Sequence, residues 1–457
     1  MTFCRAIGLC LVATWLSSCN GTTPGCSNCA PGTTVNLGGN LTGLAGYRLT
    51  LQNGSTPLST ILGPDSNGTQ VFGSANRDSA YNITVKTQPT GPAQTCVVAN
   101  GSGTTGSTDI TNISVTCSTN PPRFLYVANR GSGDVSAYTI DPASGSLAPI
   151  AGSPFAAGGN PAAIAVDPTG SYVYVVNQLS GNISTYTVNR TTGALVAVGS
   201  PVGTGTSPTS VAIDPSSSFV YVTSGGGGGT VSVYAITAGS GALTPVAGSF
   251  TATGRVPSAV IVDPTGQFLY VSNQLDGTFS AFSILPANGT LTGLAGSPFP
   301  CGPNPKALAL DPTGELLYVV NSAANTLTGV GGLPLNAGAA PPTLISGSPF
   351  ATGITPVSIA VDAAANTVYV ANQGANSITG FKIGTAGALS VLTGSPFATG
   401  ALPSSVTIDP TNQFAFVANS NDNTVTAYKA SASGTLSALA GPPFSTGSLP
   451  AAMAISD

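Results

Sequence analysis

The sequence predicts an all-β chain, a seven-bladed β-propeller of four-stranded blades preceded by a small Ig-like β-sandwich. Three observations carry this. A strand–turn–strand unit recurs: Ala165-Val166-Asp167-Pro168-Thr169-Gly170 leads into Tyr172-Val173-Tyr174-Val175-Val176-Asn177, and Asp263-Pro264-Thr265-Gly266 and Asp311-Pro312-Thr313-Gly314 lead into similar runs ending at Asn273 and Asn321. The spacing is regular. Asn129, Asn177, Asn273, Asn321, Asn372 and Asn419 (Ser224 takes the remaining place) and the aspartates 167, 214, 263, 311, 362, 409 and 457 repeat every 47 to 51 residues. A period of that length built from short strands marks a propeller, and no run has helical periodicity.

Within one period the strands read in order as A (162–166), B (172–177), C (183–188) and D (194–198). Strand A alternates small and large residues, as the crowded axis of a propeller requires. Strand B is almost continuously apolar, as expected where neighbouring blades cover both faces. Asp-Pro-Thr-Gly between A and B suits a type I turn whose carboxylate accepts local N–H groups, and Asp141-Pro142 reads the same way. The strand-B asparagines suit local backbone bonding; a ring of ligand-binding amides is the sharper alternative. The repeats begin with a strand B (124–129) and end with a strand A (452–457). The last strand is therefore expected to complete blade one and hide both sheet edges.

Upstream, residues 34–118 hold short alternating runs separated by Asn53-Gly54, Asn67-Gly68 and Asn100-Gly101, consistent with about seven strands of a sandwich. Cys96 and Cys117 fall in its last two expected strands, and a disulfide between them is expected. The region resembles a small β-sandwich module of bacterial surface lipoproteins. Residues 118–122 link it to the propeller at 123–457. The first 18 residues read as an export signal: Arg5, then an apolar stretch too short to span a bilayer as a helix. Leu16-Ser17-Ser18-Cys19 resembles the bacterial lipobox, which implies lipidation of Cys19, a membrane anchor, and a tether over 19–33. The expected location is extracytoplasmic, facing the periplasm or the cell surface. Cys26 and Cys29 form a lone pair, better suited to a local disulfide than to zinc.

Composition narrows the chemistry. Charged residues are 6% of the chain, the net charge is −4, and loss of Arg5 with the signal makes it −5. Nothing forms a basic patch, so nucleic acid is not an expected partner. The chain has no histidine, which removes Ser-His-Asp triads, Cys-His pairs and His-containing metal sites. The acids form no carboxylate dyad or calcium loop, and no metal or cofactor is expected. Trp15, the single tryptophan, lies in the signal.

The Tyr-Val-x-Asn strands preceded by Asp-Pro-x-Gly resemble YVTN-type repeats and the lactonase-family, 6-phosphogluconolactonase-like propellers. The resemblance covers about residues 124–457. It implies a site at the channel mouth. A–B and C–D turns, with Glu315, lie on one face of a propeller, and B–C loops and D–A crossovers on the other. The crossover face carries Arg130, Asp134, Arg255, Asp276, Asp422, Cys301 and Lys306. Arg255 and Lys306 enter strand A of blades four and five, where two cations suit a carboxylate or phosphate. Cys301, near Lys306 in sequence, is either a thiol of lowered pKa or an inert buried one. The expected candidates for ligand binding are Arg130, Arg255, Lys306 and Asp276. The leading expectation is a monomeric, lipid-anchored binding or scaffold module for a small anion, a surface protein or a polysaccharide. A lactone hydrolase using Arg255, Lys306 and Asp276, and a passive envelope component, are the alternatives.

Overall fold

The computed structural model describes residues 34–45, 49–63, 66–89, 94–119, 124–333, 341–362, 366–441 and 443–456. The signal, Cys19, the tether with Cys26 and Cys29, and Asp457 lie outside these residues.

Residues 34–119 form two four-stranded sheets. One runs Gly68–Asn76, Thr34–Thr42, Ile110–Thr119, Gln94–Ala99; the other runs Thr56–Leu62, Leu49–Asn53, Ala80–Thr87, Ser102–Thr104. A strand's side chains alternate between faces, so each sheet gives one face to the core. Leu37 and Leu41 from the first sheet meet Leu49, Leu51 and Ile83 from the second in a single apolar cluster. This is a sandwich of eight strands, one more than the turn signals indicate. Cys96 and Cys117 lie directly opposite each other in adjacent strands and are bonded, with both sulfurs in the core.

Seven further sheets follow, one per blade. In blade two, strands A (Pro161–Val166), B (Tyr172–Asn177) and C (Asn182–Val188) are antiparallel neighbours. Strand D is split. Leu195–Ala197 and Val202–Gly203 both pair with strand C. In this blade Ser200-Pro201 stands between the halves, and the proline has no N–H to give the ladder, but blade three is split in the same way with Ser249-Phe250 there. In four other blades the serine before that proline compensates. Ser153, Ser297, Ser348 and Ser395 accept the strand-C N–H groups of Ala137, Ala281, Gly329 and Gly380 at 2.8 to 3.0 Å.

Strand B is buried except for its first residue in blades two and three, and its alternation shows why. In blade one (Phe124–Asn129), Tyr126 and Ala128 pack into the cluster shared with blade two, while Leu125 and Val127 pack into the cluster shared with blade seven. Tyrosine hydroxyls add links between blades: Tyr126, Tyr174 and Tyr318 each donate to a glycine carbonyl of the next blade at 2.9 Å. Pro450–Ser456 pairs antiparallel with Phe124–Asn129 and becomes strand A of blade one. It packs between strand A of blade two and strand A of blade seven (Pro403–Ile408), which closes the ring.

Candidate functional site

The turn aspartates are structural. Asp167 is 2% exposed. Its Oδ1 accepts the N–H groups of Ser171 and Tyr172 at 2.7 and 2.6 Å, and its Oδ2 accepts that of Thr169 at 3.1 Å and the Thr169 hydroxyl. Asp214, Asp263 and Asp409 repeat this arrangement. The turn closes through Gly170 N–H to the Asp167 carbonyl at 2.8 Å with Gly170 at φ 68°; Ser217 and Asn412 hold the same left-handed place in blades three and seven.

The strand-B asparagines are fully buried. The Asn177 amide donates to Asn182 and Ser184 on strand C, and its oxygen accepts the Gly158 N–H of the crossover entering its blade. Asn273 and Asn372 bind Gly254 and Gly353 likewise. In these three blades the amide holds the crossover against its own blade, whereas the buried side-chain oxygens of Asn129, Asn321 and Asn419 have no such partner. All six asparagines are closed off from solvent.

The mouth of the channel on the crossover face is built by two repeated positions. The residue after each strand-B asparagine donates its N–H to the carbonyl of the residue preceding the strand-A proline: Arg130 to Leu449, Gln178 to Asn160, Gln274 to Val256, Gln373 to Thr355. This staples every B–C loop to the start of its own strand A. The second position is the residue after that proline. Thr209, Ser258 and Ser404 there donate to the proline carbonyl of the following blade at 2.7 Å, so this position lies on the channel wall between neighbouring strands A. Lys306 holds this position in blade five, in strand Pro305–Leu310. Neither position carries an acid in any blade. The three glutamines and three hydroxyls were not expected as mouth residues; alignment of the repeats on the strand-A proline is the signal that locates them.

The charged candidates divide into two groups. Arg255 and Asp276 clasp each other within blade four: Arg255 N–H donates to one carboxylate oxygen and Nε to the other, both at 2.6 Å. The Arg255 side chain is 66% exposed, so its charge is already matched at the surface. The Arg255 backbone N–H, and then its side chain, hold the Asp276 carboxyl below its ordinary range. Asp422 caps the Ala401 N–H at 2.5 Å, and Asp134 accepts the Asn129 amide at 2.7 Å. Lys306 is half-buried. Burial, and after it the positive charge of Arg130, lowers its ammonium from the ordinary lysine range. Arg130 sits in blade one and Lys306 in blade five, and the charge of the one is felt at the other. Among the described residues neither has a carboxylate partner. Cys301 is buried and its thiol is pushed up to about 12, the inert alternative and not an activated nucleophile. An open cleft of about 460 Å³ lies on the same face at blades two and three, lined by Asn160, Gln178, Ser180 and Ser207 among others. No three metal-ligating side chains cluster among the described residues.

The fold and this mouth define a seven-bladed propeller of the lactonase type. Residues 92–207, 246–331 and 342–447 match the family model described as lactonase, 7-bladed beta-propeller, and the chain belongs to that family. Among solved structures, a provisional 6-phosphogluconolactonase of Bacteroides fragilis superposes with a TM-score of 0.63 at 18% identity, over 74% of this chain and 99% of that one. A second such protein from Bacteroides uniformis gives 0.63 at 17%, over 74% and 100%. The periplasmic gluconolactonase of Pseudomonas aeruginosa gives 0.60 at 18%, over 73% and 99%. At these identities the likeness establishes the fold. No curated protein matches the sequence.

Proposed function

We propose that this lactonase-family propeller is an extracytoplasmic binding module that takes a small anion at its crossover-face mouth and does not hydrolyse it. The observation that carries this is two cations on the crossover face: Lys306 is half-buried at the channel-wall position, Arg130 lies in the B–C loop of blade one, and among the described residues neither has a carboxylate partner. Bringing two cations together is unfavourable, and an anion between them relieves that repulsion. Hydrolysis would need a general base or an activated nucleophile beside the mouth. The chain has no histidine, the Cys301 thiol is raised, and Asp134, Asp276 and Asp422 on that face are already engaged.

Titration calorimetry with sodium gluconate tests the reading. Lys306→Ala and Arg130→Ala are each expected to weaken binding by about tenfold or more, the worth of one charge-assisted contact. Arg255→Ala is expected to leave it nearly unchanged, because Asp276 already matches that charge. Turnover of gluconolactone that disappears in Lys306→Ala would overturn the non-catalytic reading in favour of a lactone hydrolase.

For location, the Cys96–Cys117 disulfide supports an oxidising compartment, and the periplasmic assignment of the Pseudomonas relative is in keeping with it. We propose that Cys19 carries the lipid anchor and that the sandwich spaces the propeller from the membrane. Intact mass of detergent-extracted protein is expected to show a chain beginning at an acylated Cys19; an unmodified start would refute the anchor.

A further inference from the structure

The notches between neighbouring blades on the crossover face are not all filled in the same way. In blades five, six and seven the B–C loop ends in an asparagine just before strand C. Its side-chain oxygen accepts the N–H of the residue preceding the strand-A proline in the next blade: Asn325 from Thr355, Asn376 from Leu402 and Asn423 from Leu449, at 2.8 to 2.9 Å. All three asparagines are left-handed, with φ of 49° to 55°.

Blades one to four carry glycine at this place: Gly133, Gly181, Gly229 and Gly277. In three of them the next crossover occupies the space instead. The carbonyl oxygens of Gly158, Gly254 and Gly302 lie at or within 3.3 Å of where a Cβ would stand on Gly133, Gly229 and Gly277. Gly181 differs, with nothing within 4 Å of that point. Its notch is the cleft of about 460 Å³, bounded by Asn160, residues 178–181 of the blade-two loop and residues 204–207 of the crossover into blade three. The N–H that an asparagine would cap there, that of Ser207, has no acceptor among the described residues.

The floor of this cleft departs from the repeat as well. Six blades place a strand-B asparagine beneath the crossover glycine; blade three places Ser224 there, against Gly205. Ser224 lacks the carboxamide, and its hydroxyl and that of Ser232 on strand C are buried without a partner among the described residues. In blade two the same two places are joined, Asn177 to Ser184 at 2.9 Å. Two carboxamides that other blades use to fill this region are therefore missing at one cleft.

The chemistry of the lining says what could replace them. No lining residue is charged. The Ser207 N–H stands where three other notches receive an amide oxygen. Leu179 is 81% exposed at the rim, and Gln178 and the Ser180 hydroxyl supply further polar groups. An acetamido group matches this set. Its carbonyl oxygen takes the N–H, its methyl covers the leucine, and the hydroxyls of an attached sugar suit the amide and hydroxyl side chains. We infer that the cleft between blades two and three is a second binding site, for an acetamido sugar. It is separate from the anion site and does not depend on it.

Saturation-transfer NMR titrations of the full chain with N-acetylglucosamine and with glucose test this. N-acetylglucosamine is expected to bind roughly tenfold tighter than glucose, the effect of one hydrogen bond and a covered methyl, with the acetyl methyl giving the strongest signal. Gly181→Asn suits the left-handed backbone and the open space, and its oxygen would cap Ser207. It should abolish N-acetylglucosamine binding, leave gluconate binding unchanged and not lower the melting temperature. Leu179→Ser, on the surface, should weaken N-acetylglucosamine about fourfold and leave glucose unchanged. Equal binding of the two sugars would overturn the acetamido class. Binding of N-acetylglucosamine that survives both replacements would overturn the site, and so would no binding at all. Gluconate, measured alongside, reads the anion site independently of each of these results.

Discussion

Deleting residues 450–457 is expected to abolish the cooperative unfolding of the propeller. Among the described residues, Pro450–Ser456 is the only strand that pairs with the inner edge of Phe124–Asn129, and it packs between strand A of blades two and seven. Met453 and Ile455 contribute to the cluster between blades seven and one, and Ala452 and Ala454 to the one between blades one and two. Burial of the two large side chains is worth about 2 kcal/mol each, and the lost ladder leaves buried N–H and C=O groups without partners at about 1 kcal/mol or more apiece. Together these approach the whole stability of an ordinary domain, about 5–15 kcal/mol. Near-UV circular dichroism of the buried tyrosines during a urea titration provides the measurement. A truncated chain with an unchanged midpoint would show that the ring does not depend on its closing strand. Restoration of the tyrosine signal by a synthetic peptide of the deleted strand would show that the loss is specific.

Asp167→Ala should give the second-largest effect, about 3 kcal/mol, although the residue touches no ligand. Its carboxylate satisfies the N–H groups of Thr169, Ser171 and Tyr172 and the Thr169 hydroxyl. Alanine strands these donors beneath a buried turn, and hydrogen bonds to a charged acceptor are the strong kind. Asp167→Asn keeps one acceptor oxygen and should lose about half as much. The turn also touches its neighbour, since the Ser217 hydroxyl of blade three reaches Asp167 at 3.2 Å, so part of the loss is shared between blades. Gluconate binding by the folded protein should not change, because the turn lies on the face opposite the mouth. A variant as stable as the parent, or one with altered gluconate affinity, would contradict this assignment.

The two effects show which parts of the chain are readable along its length. Asp167 and Tyr172 are five residues apart, and the bond joining them is a property of the turn itself. The same holds for the strand-B asparagines and the strand-C side chains that they hold, separated by five or seven residues. Such contacts leave a residue signature at each copy, and the Asp-Pro turns and Tyr-Val-x-Asn strands record them. The split of strand D was less legible. In four blades a serine hydroxyl between its halves reaches the neighbouring strand, which the apolar pattern does not report.

The candidate site was legible only as an inventory. Arg130, Arg255, Lys306 and Asp276 fall in B–C loops or at the start of strand A, which the repeat spacing shows, but the repeat spacing does not show their partners. Arg255 and Asp276 are joined within blade four by a B–C loop folding back on the crossover, and that contact withdraws both from the channel. Lys306 and Arg130 stand in blades that are not neighbours in the ring, and the charge of Arg130 is nonetheless felt at Lys306. Sequence by itself determined the all-β class, the repeat, the closing strand and the Cys96–Cys117 bond, because each follows from local periodicity or pairing between adjacent strands. Tertiary structure alone decided that Arg255 and Asp276 pair with each other and that Lys306 stands half-buried on the channel wall. Each blade contributes one or two residues there, and no stretch of chain shorter than the full circle contains their arrangement.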